Sequence, residues 1–445
     1  MNLKSSKKDI KANRGITLIA LVITMIVLLI LAGVTIATLT GDNGLLTKAG
    51  DARNTSEKAG EKERIQMEVA GAYDTRGRLD ATKIVENIEK NIGATAEATS
   101  NSFPVKVTYN NGHKYQVASD GSIMISVNAG DTAPSDSNAV YSSGDFTAII
   151  PAGFTVSDVE GEKEIETGLV IRDDLGNEFV WIPVGIPWKS DSSRTIMLGR
   201  YVFDSNGNID ETLSKVNPQD QIKQSLSSST YYTEGLKNST TNNTHAKDIE
   251  DFLTKTNTAG GFWIGRYEAR TTSKTSRTSN NDTLTSVTEK PENSIYNYIL
   301  QADAAAKARE MYNTNNYFES DLINSYAWDT ATLFLQEYDN RIYNIDTNSN
   351  YKGKYSKQTR LSEGLKGTGT NASTVAESNK DKICNVYDMA DNCWEWSTET
   401  CSNSLYLGVQ RGGCSDFSDS GVCQRCYDLV NTTSRLTFRP ILYVK

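Results

Sequence analysis

Hydrophobic positions open the chain as one nearly unbroken block. Ile16–Leu39 is uncharged and mostly apolar, and it follows a leader in which Lys4, Lys7, Lys8, Lys11 and Arg14 face a single acid, Asp9. At about 1.5 Å per residue such a run is long enough to cross a hydrocarbon core of about 30 Å as a helix. The block predicts a leader at 1–15 and a transmembrane helix at 16–40, with the basic leader cytoplasmic and the remainder exported. The pattern then changes. Residues 45–73 are rich in Ala, Glu and Lys without proline, which predicts a long helix outside the membrane. Asp80 is placed to cap a second helix, in which Ile84, Val85, Ile88 and Ile92 share one face and Gly93 marks the end. Val105–Tyr109, Lys114–Ala118 and Ser122–Val127 read as short strands joined at Asn110-Asn111-Gly112 and Ser119-Asp120-Gly121, a small meander. Residues 41–127 therefore form a stalk of two helices and a meander.

From 128 to 144 the sequence turns polar and loses periodicity, which predicts a linker. The rest, 145–445, is long for one domain but fits one carrying insertions near 189–259 and 271–293, stretches heavy in Ser, Thr and Asn. Glu178–Gly185 and Gly260–Ala269 are rich in β-branched and aromatic residues and read as strands. They carry Trp181 and Trp263, which with Trp394 and Trp396 make four of the six tryptophans and read as core residues whose indole N–H needs a partner. Arg411 and Arg439, each beside Gly or Pro, read as buried arginines that bond backbone carbonyls and pin the frame.

Composition narrows the chemistry. The formal net charge is −9, and removing the basic leader leaves about −13. An acidic chain without a basic stripe is a poor nucleic-acid binder. The only histidines are His113 and His245, which argues against most histidine-based hydrolase or zinc chemistry in the C-terminal domain. All six cysteines, Cys384, Cys393, Cys401, Cys414, Cys423 and Cys426, crowd the C-terminal end. Disulfides are the expectation for an exported domain, ahead of a redox or metal-binding C-x2-C. Glu395 is placed either to bond the core or to help hold calcium, but no Asp-rich ligand spacing supports the metal, so no cofactor is expected.

Two resemblances give these elements a family context. ANRG/ITLIALVITMIVLLILAG resembles a prepilin leader, which implies cleavage between Gly15 and Ile16 by a prepilin peptidase and packing with pilin-like subunits. Pilins usually carry Glu at the fifth mature position; Ala20 stands there, so a minor pilin, a tip subunit or a membrane-anchored protein fits better than a major subunit. The second resemblance rests on NVYDMADNCWEW at Asn385–Trp396, QRGG at Gln410–Gly413 and TFRP at Thr437–Pro440, with EFVWIPVG and GGFWIGRYEA upstream. These are similar, in order, to motifs of the formylglycine-generating-enzyme and sulfatase-modifying-factor family, which implies a C-type-lectin-like α+β domain. Ile299–Met311 and Ser320–Phe334 then stand for the family's helical pair, with Trp328 as its buried tryptophan. The fold class expected is α+β: a transmembrane, pilin-like long helix with a small meander, then the lectin-like domain.

The family's oxidase branch uses two copper-binding cysteines spaced C-x4-C, and neither Cys414 nor Cys423-Gln424-Arg425-Cys426 reproduces that spacing, so copper-dependent oxidation is the lesser expectation and a structural pilus subunit a third. The mixture of Ser, Asp, Asn, Tyr, Phe and Cys between the RGG strand and the last strand also resembles proteins diversified by retroelements, which use a similar lectin-like frame. Tyr and Phe offer contact area at low entropic cost, and Ser, Asn and Asp offer adaptable hydrogen bonds. The expected ligand face comprises Ser402, Asn403, Ser404, Tyr406, Ser415, Asp416, Phe417, Asp419, Arg425, Tyr427 and Asp428. On this reading the protein is a membrane-anchored, surface-displayed adhesin or receptor, with a protein or glycan outside the cell as ligand.

Overall fold

The apolar block at the N-terminus does not become a described membrane span. A computed structural model describes residues 22, 23, 25–29, 45–98, 102–203, 208–217, 220–234, 248–272, 277, 279, 281–290, 294–338, 382–389, 393–402, 408–413, 425–428 and 435–445. Among these residues no helix is long and apolar enough to cross a membrane. The expected transmembrane, pilin-like long helix is overturned on that finding, and with it membrane anchoring as the localisation. The long helix that is described, α1 (Leu45–Ala70), is studded with Lys, Arg and Glu. The remainder of the 16–40 span and the Gly15–Ile16 junction lie outside the described residues. In place of the expected class, the architecture is mixed α/β, with several sheets and few helices.

The chain divides into two units, Met1–Ile123 and Met124–Lys445. In the first, α1 buries Glu61, Ile65 and Val69 at four-residue spacing, one helical face. Helix α2 (Ala81–Asn91) starts where Asp80 accepts hydrogen bonds from the backbone N–H groups of Thr82 and Lys83 at 3.0 and 3.2 Å, and it buries Ile84 and Ile88. The strands β1 (Thr95–Ala98), β2 (Val105–Thr108) and β3 (Lys114–Val117) form an antiparallel meander. β1 escaped the sequence pattern because in TAEA only Thr95 is β-branched and none is aromatic, while Ala and Glu are depleted in strands. Glu61 is tied to the hairpin by Tyr115, Asn111 and His113 at 2.7, 2.7 and 2.8 Å. Although burial raises its pKa, these bonds win and hold the carboxyl below its usual range. Asp80→Ala removes the α2 cap, and we expect a loss of about 1 kcal/mol in urea unfolding. An unchanged midpoint would show that the cap is dispensable.

In the second unit, β4 (Ile123–Val127), which starts at the unit boundary, pairs parallel to β5 (Ala139–Ser143), and β5 pairs antiparallel to β6 (Phe146–Ile150). The stretch expected as a linker is thus structured: Ala139, Val140 and Tyr141 are buried, and the Asn138 amide donates to the Tyr317 carbonyl at 3.0 Å. Its turn residues hid a short strand. Asp131, for example, accepts from the backbone and side chain of Asn128 at 2.8 and 2.9 Å.

A six-stranded sheet runs in the order β14 (Phe318–Leu322), β21 (Pro440–Val444), β11 (Gly261–Gly265), β9 (Glu178–Pro183), β8 (Val170–Arg172) and β7 (Thr155–Val156). A second sheet runs β10 (Tyr232–Thr233), β17 (Trp394–Cys401), β18 (Gly408–Arg411) and β19 (Cys426–Asp428), with β20 (Leu436–Phe438) parallel to β17. Smaller pairs join β12 (Arg270–Thr271) to β13 (Val287–Thr288) and β15 (Lys382–Ile383) to β16 (Val386–Tyr387). Helix α3 (Ile249–Ala259) lies against β11 and β21, α4 (Gln301–Glu310) against β14 and β17, and α5 (Ser325–Tyr338) against β9 and β17. Every residue of α5 is buried. The helix expected over Ser320–Phe334 is preceded by a strand through Leu322, and Asn324 Oδ1 accepts from the Ala327 N–H at 2.9 Å where α5 begins.

The polar stretches expected as insertions also enter the core. Ile196, Arg200, Ile222 and Tyr232 from 189–259, and Val287 and Glu289 from 271–293, are buried. The tryptophans of β9 and β11 pack with ring centroids 5.0 Å apart, and Trp263 and Trp396 donate their indole N–H groups to the carbonyls of Ile149 and Ile299, both at 2.9 Å.

Candidate ligand-binding face

The second sheet is held by arginines and carboxylates that the sequence scatters widely. Strand β17 is irregular against β18: Trp396 faces Gln410, Thr400 faces Gly408, and the register shifts between them. Such an irregularity re-aims the side chains within it. The Gln301 side chain donates to the carbonyls of Ser397 and Glu399 at 2.5 and 3.0 Å, satisfying backbone groups there. Glycine at 408 follows from close approach, since a Cβ would lie 2.8 Å from the Trp396 ring. Gly412 adopts φ +93°, and a Cβ there would lie 2.9 Å from the Met389 carbonyl oxygen.

Glu399, fully buried, is the hub. It accepts from Arg200 at 3.0 Å, from Arg411 at 3.0 Å and from Arg425 at 2.8 Å. Asp329 on α5 takes Arg411 on one oxygen and Arg425 on the other. Burial alone would raise the Glu399 carboxyl, but the charges of Arg425, Arg411 and Arg200 overcome it and hold the pKa at about 2. Nearby, Glu234 accepts from the Ser325 N–H at 2.8 Å, at the first residue of α5, and from the Ser325 and Thr398 hydroxyls. Burial, then the Glu399 charge, pushes its carboxyl up.

A second network closes the other end of β17. Arg439, between β20 and β21, donates to Glu395 at 3.0 and 2.5 Å and to the carbonyls of Gly265 and Tyr387, both at 2.9 Å. Burial, followed by the charges of Asp388 and Glu395, raises Glu268 well above the usual carboxylate range, and burial does the same to Glu289. The NVYDM segment reaches this network through an unusual backbone: Cys384, Asn385 and Asp388 have φ of 43°, 63° and 54°. Asn and Asp tolerate that region better than most residues. The Asn385 amide fits there by donating to the carbonyls of Gly161, Thr167 and Gly168 at 2.6, 3.2 and 2.7 Å.

Of the expected face, Ser402 is exposed at the end of β17, where its N–H donates to the Tyr231 carbonyl at 2.8 Å and its Oγ accepts from the Tyr231 N–H at 3.0 Å. Tyr427 and Asp428 lie on β19, opposite Val409 and Gly408. Asn403, Ser404, Tyr406, Ser415, Asp416, Phe417 and Asp419 lie outside the described residues. Arg425 differs from the expectation. Expected among the ligand contacts, it is buried with its guanidinium committed to Glu399, Asp329 and the Tyr201 carbonyl. The reason is electrostatic: two buried carboxylates are a better partner for a guanidinium than water can offset once the sheet has closed over them.

Arg439 bonds carbonyls as its setting beside proline predicts, whereas Arg411 donates to the carboxylates of Glu399 and Asp329. Glu395 bonds the core. Cys393 and Cys401 are buried, Cys384 and Cys426 half-buried, and Cys414 and Cys423 lie outside the described residues. Among the described residues no group of three or more His, Cys, Asp or Glu is placed to hold a metal ion.

The sequence reading missed Arg200, Asp329 and Glu399. Their signal was a charge inside an apolar or small-residue run, as in LGRYVF, AWDTA and WSTET.

The sequence matches no protein-family model and no curated protein. Among solved structures, the crystal structure of CarF is similar over 34% of this chain and 67% of its own length, at 13% identity and a TM-score of 0.22, a likeness too low to argue from.

Proposed function

We propose that this chain is a ligand-binding protein whose recognition face is formed by the segments linking β17, β18 and β19, with a frame like that of the formylglycine-generating-enzyme family as its support. One observation carries the reading. The described ends of those segments, at Ser402, Gly408, Gly413 and Arg425, all belong to or adjoin one sheet whose strands are pinned by buried arginine–carboxylate networks. Stretches rich in Tyr, Phe, Ser, Asn and Asp hung from rigid ends have the composition and the support of a recognition surface. The ligand is a protein or a glycan.

The purified chain should capture a defined ligand from a glycan array or a peptide-display panel. Tyr406→Ala, Phe417→Ala and Tyr427→Ala should then weaken that binding by roughly tenfold or more each at unchanged melting temperature, as expected for aromatic anchors. Binding indifferent to all three would place recognition elsewhere.

A further inference from the structure

We propose that Arg425 is the positioning residue of this face: a buried latch that determines where the chain re-enters the sheet at β19, without touching ligand itself. The inference rests on the binding role proposed above and goes beyond it, because it assigns to one residue inside the expected contact set a different task.

Three separate stretches of chain grip the Arg425 side chain. Its Nε donates to Glu399 Oε1 on β17 at 2.8 Å, Nη2 pairs with Asp329 Oδ2 on α5, and Nη1 donates to the Tyr201 carbonyl at 3.3 Å. Its backbone is gripped as well. The Tyr232 hydroxyl donates to its carbonyl at 3.1 Å, and the Gln224 amide, oriented to satisfy both groups, pairs with its N–H and C=O.

Arg411 on β18 takes the complementary oxygens of the same two acids, Glu399 Oε2 at 3.0 Å and Asp329 Oδ1. The two strands are therefore registered twice, once by the ladder that sets Gln410 opposite Cys426 and once through shared carboxylates. A planar guanidinium meets two acids and a carbonyl from fixed directions, which the point charge of lysine cannot copy. Only 2% of Arg425 is exposed, so a ligand has no access to it.

The first test needs no ligand. The full chain is displayed as a library randomised at positions 415–419 and 425 and sorted for protease resistance. Survivors should keep arginine at 425 almost without exception while 415–419 stay mixed; a mixed composition at 425 overturns the proposal. Failure of the binding role would instead appear as an empty glycan and peptide screen with this sort still recovering arginine.

The second test separates positioning from bulk stability. In Arg425→Gln the Glu399 carboxyl, followed by 13C NMR, should titrate about one unit or more above its present value of about 2, with Arg425→Lys restoring part of the shift. Amide exchange at Gly408–Arg411 and Cys426–Asp428 should rise by roughly tenfold or more, while Gly261–Gly265 in the other sheet changes by less than about threefold. An unmoved Glu399 titration, or an equal rise across both sheets, overturns the proposal.

Discussion

Glu399→Gln should lower the unfolding free energy by roughly 3–5 kcal/mol, because it removes the carboxylate shared by the buried Arg200, Arg411 and Arg425 and leaves Asp329 paired with the last two. Glutamine keeps the shape and some hydrogen bonds but cannot balance three guanidinium groups. Part of the loss is returned by Glu234, whose carboxyl is now pushed up partly by the Glu399 charge and ionises more readily once that charge is gone. The sign of the pH dependence follows from the lowered Glu399 pKa. A depressed carboxylate contributes stability that is present above its unfolded pKa and lost as pH falls towards the folded value, about 2. The native protein should therefore lose this contribution between the ordinary glutamate range and about pH 2, and the variant should lack that part of the acid slope. Urea unfolding at several pH values measures both. A loss below about 1 kcal/mol would mean that the arginines find other partners.

Arg439→Met should be comparably severe, roughly 3–5 kcal/mol, since it strands Glu395 at zero exposure and frees the carbonyls of Gly265 and Tyr387. Burial already raises the Glu395 carboxyl against the pull of Arg439. Without the arginine, that carboxyl should be pushed up further. Adding Glu395→Leu should recover about half or more of the loss, because replacing both members of a buried pair costs far less than removing one. The double-mutant cycle reads the coupling directly, and a double variant no more stable than Arg439→Met would show that the carbonyl contacts carry the effect.

Local chemistry was legible where a residue's neighbours in sequence are also its neighbours in space. Asp80 caps α2 because its partners are two and three residues away. Val105–Thr108 and Lys114–Val117 pair because Asn110-Asn111-Gly112 turns the chain between them. Trp181 and Trp263 were legible as strand and core residues from their apolar, β-branched surroundings. Reading failed where composition and burial part company. Ala139–Ser143 looked like linker because its flanks are turn-forming, and 189–259 looked peripheral although Arg200 and Tyr232 lie in its midst. The apolar run after the basic leader marks the limit of a pattern argument: hydropathy predicts a span, whereas no described helix is long and apolar enough to make one.

The role of Arg425 illustrates the same division. In sequence it stands between Gln424 and Cys426 in a polar stretch, where an arginine reads as a ligand contact. Its partners, Glu399 and Asp329, are 26 and 96 residues away. By itself, then, the sequence determined the short helices and strands with local signals, the tryptophan core, the burial of Arg411 and Arg439 and the absence of a basic stripe, all properties of adjacent residues. Only the tertiary structure decided which charges meet. A buried ion pair forms when the fold excludes water from both partners at once, and that depends on the crossing of β17, α5 and β19 rather than on any stretch of chain taken alone.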